Sequence, residues 1–148
     1  MIKIDKYTLR SDVFYDKENH FWINVTGNKA VIGLSPLIQE INGHFVALLL
    51  SEPGIKFNRG ESIGSAEAEK HVGPLKAPVS GTVLSVNTAV LELPRLINED
   101  SFGQGWLMEI ELTDWERESA YLVHGENEIK NWAAAELKKF NEKGWIAQ

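Results

Sequence analysis

Glu67-Ala68-Glu69-Lys70-His71-Val72-Gly73-Pro74-Leu75-Lys76-Ala77-Pro78-Val79-Ser80-Gly81 is the stretch that decides how the chain is read. Glu61 to Glu69 predicts a strand, Gly73-Pro74 and Ser80-Gly81 predict turns, and Thr82 to Val86 predicts the next strand. Lys70 therefore stands at an exposed turn with carboxylates before it. If the strand runs on, Glu67 and Glu69 share one face and the lysine points to the other. A carboxylate pair doing acid–base work needs burial to separate its pKa values, and Ala68 and the nearby glycines offer little desolvation. A Schiff-base lysine needs a lowered pKa, whereas flanking carboxylates favour the ammonium. What remains is an amine placed where another enzyme can find it.

Outward from this stretch, the first two thirds of the chain alternate short apolar runs with Gly, Pro and Asn, and the last third has helical spacing. Phe21-Trp22-Ile23-Asn24-Val25 and Ala30-Val31-Ile32-Gly33-Leu34 flank Thr26-Gly27-Asn28-Lys29 and predict a hairpin. Ser35-Pro36 predicts the cap and first residue of a two-turn helix that ends at Gly43. Phe45 to Leu50 predicts a buried strand, and Leu93 to Asn98 a helical turn. Trp106, Met108, Ile110 and Leu112 alternate with two glutamates, the pattern of a strand with one wet side. Thr113-Asp114-Trp115-Glu116 matches a capping box for a helix closed by Gly125. A second helix, about Asn127 to Glu142, sets Ile129, Trp132, Ala133, Leu137 and Phe140 on one stripe. Trp145 predicts a tail that docks.

The 148 residues suffice for one core, and 43% hydrophobic with 24% charged is an ordinary globular composition. A net charge of −6 and no Lys/Arg-rich run argue against a nucleic-acid partner. The longest apolar run is too short for a membrane span and Met1-Ile2-Lys3-Ile4-Asp5 lacks a signal peptide's apolar region, so a cytoplasmic monomer is expected. The absence of cysteine removes disulfides and thiolate chemistry. His20, His44, His71 and His124 fall at no metal-ligand spacing and are expected at the surface or behind a site. Nucleophile-elbow, phosphate-loop and dinucleotide motifs do not occur.

Glu67-Ala68-Glu69-Lys70, leading without a gap into Ala77-Pro78-Val79-Ser80-Gly81, resembles the lipoyl-lysine segment of the glycine cleavage system H protein family. His20-Phe21-Trp22 is similar to the family's His-Glu-Trp, Val31-Ile32-Gly33-Leu34 to its Val-Gly-Ile, and Leu50-Ser51-Glu52-Pro53-Gly54 to its Leu-Pro-Glu-x-Gly. Leu96 to Leu107 is similar to its Leu-Val-Asn-Glu-Asp-Pro-Tyr-Gly-x-Gly-Trp-Leu.

The resemblance implies a β-rich α+β fold, a lipoyl/biotinyl-type sandwich (hammerhead-like barrel) of short antiparallel strands with C-terminal helices. Residues 1–125 would form the carrier domain and 126–148 a helical extension packed on it. It also implies a protein without catalysis of its own, with lipoate joined by an amide to Lys70. The lipoate ligase or lipoyl transferase that attaches it would recognise Glu67 and Glu69, and His71, Phe21 and Pro74 would lie near the arm. Phe21 and Pro74 occupy positions where the family's acids are thought to hold an aminomethyl ammonium, and neither side chain can accept a charge-assisted hydrogen bond. Those losses point to the lipoate-binding relatives of heterodisulfide-reductase-like sulfur oxidation as the expected pathway. The alternative is glycine cleavage itself, with the glycine cleavage enzymes as partners; dihydrolipoamide dehydrogenase would reoxidise the arm. A further alternative is an unmodified β-rich scaffold; a biotin carrier fits poorly, since Glu69 and His71 stand where such domains carry Met.

Overall fold

The computed structural model describes residues 1–144. In chain order the elements are β1 (Ile2–Ile4), β2 (Tyr7–Leu9), β3 (Phe14–Asp16), β4 (Phe21–Thr26), β5 (Lys29–Leu34), α1 (Ile38–Asn42), β6 (Phe45–Leu50), β7 (Lys56–Phe57), β8 (Ser62–Ala68), β9 (His71–Lys76) and β10 (Gly81–Val86). They continue with α2 (Thr88–Glu92), α3 (Leu96–Glu99), β11 (Met108–Leu112), α4 (Trp115–Glu118), a 3-10 turn (Ser119–Tyr121), β12 (Leu122–Val123) and α5 (Glu126–Glu142).

Three antiparallel sheets result. One has seven strands in the order β12-β3-β4-β5-β11-β10-β7, one has three in the order β6-β8-β9, and β1 pairs with β2. The β4–β5 hairpin forms as the sequence predicts, turning on Gly27-Asn28 with Gly27 at φ +64°. Gly33 lets the Trp22 indole lie across β5, because a Cβ there would stand 2.4 Å from the ring. Gly81 likewise lets β10 meet β11, since its Cβ would reach the Glu111 carbonyl oxygen at 2.4 Å.

The continuous apolar run Phe21-Trp22-Ile23 has a simple cause: β4 is buried on both faces. Phe21 and Ile23 enter a core built with Ile32, Phe45, Ile63, Val83, Leu107 and Ile110, drawn from both larger sheets. Trp22 points the other way, into a second core with Ile2, Leu9, Tyr15, Leu37 and the α5 stripe Ile129, Ala133, Leu137 and Phe140. The predicted stripe of α5 therefore packs as expected, with Trp132 only partly buried. Gly144 takes φ +73° after α5; Trp145 lies outside the described residues.

Four expectations need correction. Ser35 does not cap α1, whose N-cap is Leu37; its hydroxyl faces the buried His20 ring instead. No capping box forms at Thr113, because Asp114 precedes α4 and its carboxylate pairs with Arg117. The helix expected to run to Gly125 is one turn, then the 3-10 turn and β12, which extends the sheet by pairing with β3; Gly125 opens α5 at φ +93°. Phe45 to Leu50 is a strand buried on one face only: a register slip between Phe45 and Ala47 leaves Val46 and Ala47 both outward, and Leu49 is 71% exposed.

His20 is the clearest departure. It is buried in a left-handed backbone at φ +62°, which a residue with a Cβ adopts only where its surroundings hold it. Nε2 lies 2.8 Å from Glu136 Oε1 on α5, Nδ1 lies 3.2 Å from Ser35 Oγ, and the Trp132 and Phe140 rings close over the imidazole. The sequence expectation of a surface or supporting histidine thus meets a core contact between β4 and the last helix.

Candidate functional site

Strands β8 and β9 pair from Ala68↔His71 downward, so Glu69 and Lys70 form the two-residue tip of a hairpin. Lys70 is exposed, and its amine has no hydrogen-bond or ion-pair partner among the described residues. Its backbone, by contrast, is fixed: Lys70 N–H donates to the Asn42 carbonyl at 2.9 Å, and Glu69 N–H donates to the His44 carbonyl at 3.1 Å.

Glu69 leaves the strand's alternation and turns its carboxylate onto the loop after α1. Oε1 accepts the His44 backbone N–H at 2.7 Å and lies 3.0 Å from His44 Nδ1. These two contacts hold the Glu69 carboxyl below its ordinary range, the backbone bond contributing most, with smaller help from the charges of His44 and Lys70. Gly43, at φ +74°, makes room for this, since a Cβ would come within 2.9 Å of Glu69 Oε1. From behind, Asn98 of α3 donates to the Gly43 carbonyl at 3.1 Å and accepts the Phe45 N–H at 3.0 Å.

Glu67, the penultimate residue of β8, stands on the outward face, paired across the sheet with Ala47 and Val72. Its carboxylate has no hydrogen bond or ion pair among the described residues. The two glutamates therefore differ: one is free to meet a partner, the other is engaged within the fold.

Two depressions flank the tip. Along β9 runs a cleft of about 190 Å³ lined by Phe21, Phe45, Ile41, His71, Pro74 and Leu75, with Glu18 and Asn42 also contributing. Pro74 fits an edge strand, whose outer side needs no N–H donor. The structure thus brings together Phe21, His71 and Pro74, which are 53 positions apart in sequence at the extreme. A wider depression of about 440 Å³ holds Lys70 itself with Lys6, Glu40, His44, Glu69 and Asn98, and a Lys6–Glu40 ion pair of 3.0 Å crosses it.

The turn after β9 is locked from a distance. Glu118 of α4 is buried and accepts the Ser80 N–H at 2.6 Å and the Ser80 hydroxyl at 2.7 Å, while Ser80 Oγ accepts the Arg59 N–H at 2.9 Å. Sequence reasoning missed Glu118, His44 and Asn42. Asn98 lies in a motif the sequence singles out, yet nothing in one sequence signals that it braces the lysine hairpin. Among the described residues no group of three or more His, Asp or Glu side chains is placed to hold a metal, and no helix is long and apolar enough to cross a membrane.

A sandwich of short antiparallel strands with an exposed lysine at the tip of a backbone-pinned hairpin has the architecture of a lipoyl-type domain. Comparison with known proteins agrees. The family model for the glycine cleavage H-protein matches residues 13–135. The glycine cleavage system H protein of Gloeobacter violaceus is 43% identical over 97 residues, covering 66% of this chain and 75% of that one. The glycine cleavage system H protein 2 of Aquifex aeolicus is 30% identical over 145 residues, covering 95% and 87%. A crystal structure of a glycine cleavage system H protein from Mycobacterium marinum superposes with a TM-score of 0.64 at 31% identity, covering 76% of this chain and 98% of that one.

The chain belongs to the glycine cleavage H-protein family. Proteins of this family are non-catalytic carriers with lipoate attached covalently to a lysine. The family match runs past residue 125 into the first ten residues of α5.

Proposed function

We propose that Lys70 carries the lipoyl group and that the protein serves glycine cleavage, moving an aminomethyl group from the glycine decarboxylase to the folate-dependent aminomethyltransferase. The observation that carries this reading is the exposed, unpartnered Lys70 amine on a tip whose backbone is pinned to Asn42 and His44. The residues present fit the group: the attachment point is open, and the cleft beside it offers apolar walls from Phe21, Phe45 and Pro74. Bound through an amide, lipoate supplies a disulfide that can be opened and closed on a tether, raising its effective concentration at successive active sites. The chain's own part is to hold the tip, shelter the arm's apolar end and present Glu67 to the enzyme that attaches it. Residues 1–125 act as the carrier domain, and α5 seals its second core. Dihydrolipoamide dehydrogenase completes the set of partners.

The curated relatives favour glycine cleavage over the sulfur-oxidation pathway that the sequence suggests. One feature supports the latter as a second reading: Phe21 and Pro74 stand at the positions of the family's acids, which leaves Glu18 as the carboxylate in the cleft's lining. Adding the lipoylated protein to glycine decarboxylase and measuring glycine–bicarbonate exchange decides between them. Robust exchange supports glycine cleavage; none, with intact lipoyl mass on Lys70, overturns it and leaves the sulfur carrier.

A further inference from the structure

The outward face of the three-stranded sheet is unusually apolar for a solvent-facing surface. Its cross-strand rows read Ala47–Glu67–Val72 and Leu49–Ser65–Pro74. Val72 is 73% exposed, Leu49 71% and Val46 54%. Single exposed apolar residues need no explanation, but apolar side chains on both strands that flank Glu67 and Ser65, in neighbouring rows of one sheet face, mark a surface that is covered part of the time. One unpaired carboxylate, Glu67, stands in its middle.

We propose that this face docks the enzyme that forms the amide at Lys70, an inference that rests on Lys70 being the lipoylated residue. Reach selects that occupant. An unmodified lysine extends its amine only about 6 Å beyond its Cα, so an active site that acylates it must press against the hairpin itself. Enzymes that use the finished arm gain on the order of 10 Å more tether and can stand off. Val72 lies two residues from Lys70, about 7 Å along the strand, and the Leu49–Pro74 row lies about 14 Å from Lys70. A standard interface of about 800 Å² per partner spans about 30 Å, so contact at the amine reaches both rows. The docked surface is therefore apolar, with one cationic side chain opposite Glu67. Glu69 contributes nothing directly, since its carboxylate faces His44.

The test uses purified protein, lipoate ligase, ATP and lipoate, with transfer followed by intact mass. The double variant Leu49→Glu/Val72→Glu is expected to lose at least ten-fold in kcat/KM, mostly in KM. The milder Leu49→Ser/Val72→Thr is expected to lose about three-fold, and it decides the matter if the charged pair unfolds by circular dichroism. Ile55→Glu, on an exposed apolar residue away from this sheet, is expected to stay within two-fold of wild type. Wild-type rates in the folded double variants overturn the docking assignment. So does normal acylation combined with slowed oxidation by dihydrolipoamide dehydrogenase, which transfers the face to that enzyme. Failure of the wild type itself to be acylated overturns the carrier reading instead.

Discussion

On the proposed function Lys70 carries the lipoyl group, and little else in the fold depends on its side chain. Lys70→Arg keeps the charge and the exposed position, so intact-mass analysis from a lipoylating host is expected to show no added lipoyl mass, with a melting temperature within about 1 °C of wild type. Glu69 is different, because it ties the tip to His44. Glu69→Ala is expected to speed hydrogen exchange at the Glu69 and Lys70 amides without unfolding the sheet, whereas Glu69→Gln, which can still accept both bonds, restores protection. The sign of its pH dependence follows from a carboxyl held below its ordinary range: the latch is complete at neutral pH and opens only as pH falls through that lowered value. A carbon-detected titration of the Glu69 carboxyl checks this, and a midpoint at or above the ordinary carboxylate value contradicts it.

At the scale of elements, α5 and β4 define each other through His20 and Glu136. Burial alone raises the Glu136 carboxyl, but hydrogen bonds from His20 and Lys139, with the charges behind them, outweigh it and leave the group lowered. Its stabilising contribution is therefore present above the ordinary carboxylate range, near pH 4.3, and fades as pH falls below it. Acid titration of thermal stability is expected to be flatter in Glu136→Gln than in wild type between about pH 5 and pH 3; parallel slopes contradict this. Phe140→Ala, which empties a fully buried ring site in the second core, is expected to cost about 3–5 kcal/mol by denaturant unfolding. The sequence makes the local elements of this region legible: the β4–β5 hairpin, the α5 stripe and the lysine hairpin all follow from spacing and turn residues. It does not reveal long-range choices. Ser35 is an apt cap by type, yet a buried imidazole fifteen residues earlier claims its hydroxyl. Thr113 and Glu116 have the right spacing for a box, yet Glu118 is drawn to Ser80 and Asp114 to Arg117.

Across the whole molecule, the same boundary separates what one sequence displays from what it hides. Lys70 and its motif are visible because they are contiguous; the brace of Asn42, His44 and Asn98 is not, because it gathers two distant segments around one turn. The two-core arrangement has its own bearing on how the chain matures. The core that holds the apolar side of β1 and β2 draws on Tyr15, Trp22 and Leu37 and is completed by Ile129, Ala133, Leu137 and Phe140, near the other end of the described chain. During synthesis the sheet that presents the lysine can close before α5 leaves the ribosome, while Ile2, Tyr7 and Leu9 wait for the last side of their core. A nascent chain thus exposes Lys70 before its second core is complete, and stalled chains ending ahead of residue 126 are the form in which that open core invites aggregation.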